Sequence, residues 1–265
     1  MIDTHCHIDD PNFIQDLDAV IQRQKDGGVE MILVPGVNWE SCKVVPEVCS
    51  RFPGYLRPAL GLHPEDVQGN WQEVLQKIHE TVFHYSELFP QSSPLVAIGE
   101  IGLDYHFSTE FKAEQQQVFR EQLDWALELD LPVMIHSRDA TEDMVRILRE
   151  YDKKSHGQLT GVMHCFSGSK ETAAEYIKMG WKLGIGGVLT FKNSKLPETL
   201  KSVPLESLVL ETDAPYMAPV PHRGETNESR WMIYVAEKLS EVYGVDKKDI
   251  IEATNRTAKA LFRLK

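Results

Sequence analysis

The segment MIDTHCHIDD, residues 1–10, starts as a short apolar strand and then carries two imidazoles, His5 and His7, one residue apart. Alternate side chains of an extended strand share a face, so the two rings stand together about 6.6 Å apart along the backbone. They can address one target. Alone, an H-x-H pair fits two surface or core histidines as well as it fits a site. Its meaning depends on the rest of the chain, where short Val-, Ile- and Leu-rich runs recur at 30–36 (EMILVPG), 55–63, 94–104, 132–137, 159–166, 181–187 and 207–213. Segments of helical periodicity lie between them, among them 13–26, 71–89, 110–130, 140–154 and 169–180. This alternation is the pattern of βα units on a parallel sheet. Eight strands with helices between them in 265 residues predict an α/β fold of the (β/α)8 TIM-barrel type. An open doubly wound sheet is the competing arrangement, and no G-x-G-x-x-G follows the first strand to favour it. Two further helical segments, 228–244 and 246–262, are expected to pack on the barrel exterior. No linker or low-complexity stretch divides the chain, so 1–265 reads as a single domain. The stretch 84–94, HYSELFPQSSP, reads as an extension without chemistry of its own.

Composition narrows the function. With 42% hydrophobic and 26% charged residues the chain has the balance of a globular protein. It shows no apolar run near the roughly 18 residues of a membrane span and no signal-peptide pattern, so a cytoplasmic location without membrane association is expected. The four cysteines form no C-x-x-C pair and read as reduced and buried. A net charge of −12 argues against coating nucleic acid through a broad basic surface, so any polyanionic substrate must be met locally. Most of the carboxylates need do no more than keep the protein soluble.

The imidazoles of the first strand are not isolated. Glu100 in VAIGEIGLD, His136 in VMIHSRD, His164 in GVMHCF and Asp213 in LVLETD each follow or interrupt a hydrophobic run at a strand's carboxyl end. Chemistry in a (β/α)8 barrel is built at that end of the strands, so these residues and the His5–His7 pair are expected to converge there. A lone strand-end histidine is usually a hydrogen-bonded structural residue, and a lone buried glutamate is commonly half of an ion pair. Four imidazoles and two carboxylates together would be costly to bury unpaired, and divalent metal satisfies all of them. Six protein ligands are too many for one catalytic ion with an open position, which favours two divalent ions: Mg2+, Mn2+ or Zn2+.

The strings DTHCH, GLHP (61–64), GEIGLDY (99–105), IHSRDA (135–140), HCFSGS (164–169), ETDAPY (211–216) and APVPHRGETNE (218–228) span nearly the whole chain in order. Together they resemble the TatD family of metal-dependent deoxyribonucleases, within the amidohydrolase-like superfamily. The resemblance implies a (β/α)8 barrel, a divalent-metal site and hydrolysis of DNA phosphodiester bonds. It further implies that His5, His7, Glu100 and Asp213 hold one metal, that Glu100 bridges to a second held by His136 and His164, and that His63 meets the substrate phosphate. Ser229 is a departure, standing where many relatives place a proline.

Phosphodiester hydrolysis needs an activated water and stabilisation of charge on the phosphoryl group, which a metal pair supplies. Asp213 is then the expected proton acceptor. Arg138, His222 and Arg223 are candidates for cationic substrate contacts, with surface solvation or a helix-end ion pair as their ordinary role. Asp104, Asp139 and Glu211 are candidates for carboxylates that orient ligands. The expected partner is DNA at single-stranded ends, cleaved by a 3′-to-5′ exonuclease, with no obligate protein partner. Two alternatives remain at this stage. One is an ester or amide hydrolase such as an aminoacyl-tRNA deacylase, and the other is a metal-binding barrel without catalysis.

Overall fold

The computed structural model describes residues 1–264. Its strands are β1 (Ile2–Asp3), β2 (Met31–Gly36), β3 (Leu56–Leu60), β4 (Ala97–Asp104), β5 (Val133–Arg138), β6 (Gly161–Met163), β7 (Lys182–Ile185) and β8 (Leu208–Leu210). They form one sheet in chain order, and the pairs β1–β2, β3–β4, β4–β5, β5–β6 and β7–β8 are parallel. Thr4 N donates to Leu210 O and Asp213 N to His5 O, which returns β8 to β1. This is the connectivity of a (β/α)8 barrel. The helices are α1 (Pro11–Ile14), α2 (Leu17–Asp26), α3 (Trp39–Arg51), α4 (Trp71–Phe83), α5 (Tyr85–Leu88), α6 (Lys112–Glu128), α7 (Thr141–Ser155), α8 (Lys170–Lys178), α9 (Leu196–Leu200), α10 (Met232–Tyr243) and α11 (Lys247–Leu261). No helix among the described residues is long and apolar enough to cross a membrane.

The chain packs as two compact units. The first comprises 1–34, 165–177 and 182 onward. Its helices bury residues at three- and four-residue spacing: Leu17, Val20, Ile21 and Gln24 on α2, and Ile250, Ala253, Thr254, Thr257 and Ala258 on α11. Gly244, at φ 66, closes α10 in the left-handed conformation that a helix C-terminus favours. β1 is shorter than the sequence suggests. After Asp3 the backbone N–H of His5 turns back to Asp3 Oδ1 at 3.1 Å, and pairing resumes only at the isolated bridge Cys6–Ala214. A side chain that captures its own backbone in this way competes with the strand ladder.

The second unit comprises 35–164 and 178–181. Trp39 to Arg51, which the sequence reading did not single out, forms α3 behind a reciprocal cap between Asn38 and Ser41. α4 buries Trp71, Leu75, Ile78 and Val82, and α7 buries Met144, Ile147, Leu148 and Tyr151. Every residue of β4 is buried, as expected of a parallel strand covered on both faces. Its ladder to β5 is irregular: Ile98 opposes Val133 but Ile101 opposes Ile135, so one extra residue enters β4 around Glu100. A bulge of this kind re-aims a side chain. Just beyond it Gly102 has φ +149, and a Cβ there would lie 1.9 Å from His136 O, so this position requires glycine. In 84–94, Tyr85 Oη bonds Ser92 Oγ at 2.7 Å, which gives the extension a packing role.

Candidate metal centre

In the first unit, Asp3 is fully buried and holds two chain segments at once. Besides His5 N, it accepts Thr212 N at 3.0 Å and Thr212 Oγ1 at 2.6 Å. Burial raises its carboxyl to about 7, against the opposing pull of the hydrogen bonds from Thr212 and His5. Asp213 follows in the left-handed region at φ 58, a conformation that aspartate adopts more readily than most residues. Its Oδ1 lies 3.5 Å from His7 Nε2 and 4.0 Å from His5 Nε2, and those two nitrogens are 3.3 Å apart. Asn227, buried, donates to Thr212 O and Tyr216 O and so pins the loop after β8.

In the second unit, Glu100 is the hub. Its Oε1 lies 3.1 Å from His136 Nδ1, 3.5 Å from His63 Nε2 and 3.8 Å from His164 Nε2. His136 also meets Asp104 Oδ2 through Nε2 at 2.7 Å. Burial opposes a charge on His136, but the Asp104 and Glu100 carboxylates outweigh it and raise the imidazole to about 9. Burial likewise opposes ionisation of Asp104, yet the hydrogen bonds from His136 and His106 N hold its carboxyl below the usual value. His63 Nδ1 accepts Glu65 N at 3.2 Å, so in the neutral ring the proton sits on Nε2 and points at Glu100. That tautomer makes His63 a donor rather than a ligand through Nε2.

Both sets fit divalent metal. Nitrogen and oxygen donors about 2.0–2.2 Å from one tetrahedral ion stand roughly 3.3–3.6 Å from each other. The separations among His5, His7 and Asp213 run from 3.3 to 4.0 Å. Two imidazoles facing through Nε2 can share only one proton, whereas a cation accepts both lone pairs. Glu100 Oε1 stands 3.1 Å from His136 Nδ1 and 3.8 Å from His164 Nε2, and the Asp104–His136 contact is the carboxylate–histidine pairing that orients metal-binding imidazoles.

The remaining predicted residues are placed differently. Arg138, exposed at the end of β5, holds its guanidinium 4.9 Å from the Phe107 ring centroid rather than in an ion pair. His222 lies flat on Trp231, centroids 3.9 Å apart, and bonds Glu225 and Tyr234, so its described partners are structural. Arg223 covers Phe191 at 3.7 Å. Asp139 pairs with the exposed His106 at 2.7 Å, and Glu211 accepts Cys165 N at 2.5 Å. Cys6, Cys42 and Cys49 are buried as expected, but Cys165, past the end of β6 at φ 47, is only half-buried. Sequence reasoning missed Asp3 and Asn227, although both stand inside the quoted strings DTHCH and GETNE. A carboxylate that bonds only backbone and hydroxyl groups leaves no periodicity to read. Ser229 begins a short 3-10 turn and is buried.

Fold and donor chemistry together define a hydrolase of the metal-dependent barrel type, and comparison with known proteins specifies it further. A family model described as TatD related DNase matches residues 2–263, and the chain belongs to the TatD family. It is 40% identical to YabD of Bacillus subtilis, named an uncharacterized metal-dependent hydrolase, over 100% of this chain and 99% of that one. YcfH of Escherichia coli, named in the same way, is 31% identical over 100% and 96%. The crystal structure of YjjV, a TatD homologue from E. coli, superposes with a TM-score of 0.90 at 32% identity, covering 100% of this chain and 98% of that one. The chain is therefore a metal-dependent hydrolase on a TIM barrel.

Proposed function

We propose that this hydrolase is a deoxyribonuclease that removes nucleotides 3′ to 5′ from exposed single-stranded DNA ends, with 1–265 acting as one domain in the cytoplasm. The observation that carries the reading is the presence of two donor sets, each combining imidazoles with a carboxylate, around Asp213 and around Glu100. His5, His7 and Asp213 would hold one ion, and Glu100, His136 and His164 a second. Divalent ions bound there, Mg2+, Mn2+ or Zn2+, supply Lewis-acid stabilisation of phosphoryl charge and ease deprotonation of water. Asp213 accepts the proton of the attacking water, since its carboxylate reaches the rim on a strained, fixed backbone. His63 donates through Nε2 to a phosphate oxygen, and Arg138 adds an exposed positive charge. The net charge of −12 supports capture of one or two phosphates at a strand end over wrapping of duplex.

The test combines elemental analysis, chelation and metal add-back with parallel assays on end-labelled single strands, blunt duplex, aminoacyl-tRNA and simple esters. Restored cleavage of single-stranded ends is expected. DNA binding by metal-loaded Asp213→Asn should show a salt slope of only about one to three phosphates. Turnover confined to aminoacyl-tRNA or carboxylic esters would replace the nuclease with a deacylase. Bound metal with no turnover on any substrate would leave a binding protein.

A further inference from the structure

Phe107 is an aromatic side chain with no place in the core. It is 73% exposed, the most exposed large apolar residue among those described, on the loop between β4 and α6. The loop is tied to the Glu100 set. Asp104 Oδ2 holds His136 Nε2, while Asp104 Oδ1 accepts His106 N at 2.8 Å. Tyr105 N donates to Arg138 O at 3.0 Å. Phe107 thus stands three residues from the carboxylate that orients His136, with the Arg138 guanidinium 4.9 Å from its ring centroid and the edge of His106 against it at 4.8 Å. His106 pairs with Asp139, while the Arg138 charge acts on Asp104 from a distance and its guanidinium stays exposed against Phe107. An exposed ring that buries nothing of its own, with a guanidinium against it, leaves a π-face and a positive charge both open to solvent. It suits a ligand with a flat π-face and an anionic group a few ångströms away.

We propose that Phe107 and Arg138 form a terminal-nucleotide subsite: the base stacks on Phe107 and its phosphate meets Arg138. The inference rests on the nuclease reading and adds to it the part of the substrate that is recognised. Stacking is tolerant of base identity, so the subsite selects for the presence of a base and not for sequence.

The experiment uses the full metal-loaded chain and two single strands differing only in whether the terminal nucleotide carries adenine or is abasic. Phe107→Ala should raise KM roughly tenfold on the adenine end, with kcat within about twofold, and leave the abasic strand unaffected. Phe107→Trp should restore the preference, and its added fluorescence should be quenched by dAMP beyond the wild-type change. Equal loss on both strands, or no added quenching, would overturn the subsite while the nuclease stands. If wild type cleaves neither strand, the nuclease reading fails by itself. Quenching of Phe107→Trp by dAMP then still supports base binding, and its absence removes that as well.

Discussion

The donor set around Asp213 and the donor set around Glu100 reach similar chemistry by different means. The first is held through its backbone: Asp3 gathers His5 N, Thr212 N and the Thr212 hydroxyl, and Asn227 ties down the loop beyond. The second is held through its side chains, with one carboxylate oxygen facing three imidazoles and Asp104 fixing a fourth contact. A set anchored by backbone should keep its shape when one ligand is lost. A set built from mutual charge should not, because each member is the partner that makes the others affordable to bury.

The strongest test of this contrast is His136→Ala or His164→Ala in the Glu100 set. Each should lower turnover more than about a hundredfold and reduce bound metal, with circular dichroism unchanged, because strand-end residues carry function more than packing. Wild-type turnover in either variant would break the assignment of that set. Asp3→Asn probes the backbone-held set. Replacing one acceptor oxygen with an amide donor should cost about 1–3 kcal/mol in denaturant unfolding and loosen metal retention, even though Asp3 reaches no ion. Unchanged stability would mean the backbone tie is not what holds His5 and Asp213.

The smallest effect is expected outside both sets. The Arg146 and Lys112 contacts hold the Asp143 carboxyl down to about 2, below its ordinary 3.8. Its contribution is therefore complete above the unfolded value and is lost as pH falls through about 2. Solvent screening limits it to less than about 1 kcal/mol. Asp143→Asn should lower Tm slightly at pH 7, and the difference should shrink in high salt and vanish near pH 2. A large drop would show that surface charge, and not the donor sets alone, organises this face.

The same contrast governs what could be read before any coordinates. The barrel was legible because eight largely buried strands leave apolar runs, and α4 and α7 leave three- and four-residue spacing. The candidate donors stood out in the sequence because His136, His164 and Glu100 interrupt such runs. Strand ends were not, since Asp3 captures His5 N and stops the ladder of β1 early. The bulge near Glu100 was equally silent, because register is a property of two strands. His222 shows what a motif leaves out: the string PHRG suggests a substrate contact and says nothing of the flat face of Trp231 on which the ring is stacked.

Gly102 has no side chain, no charge and no hydrogen-bonding group beyond its backbone, yet the carbonyl of His136 occupies the space where a methyl would be. The aim of an imaginable ligand is thus set by an omission. In a saturation library this position would look like an active-site residue, closed to every replacement, although nothing at it could touch a substrate. Intolerance to exchange and participation in chemistry are separable properties in this molecule, and two strands pressed backbone to backbone are enough to part them.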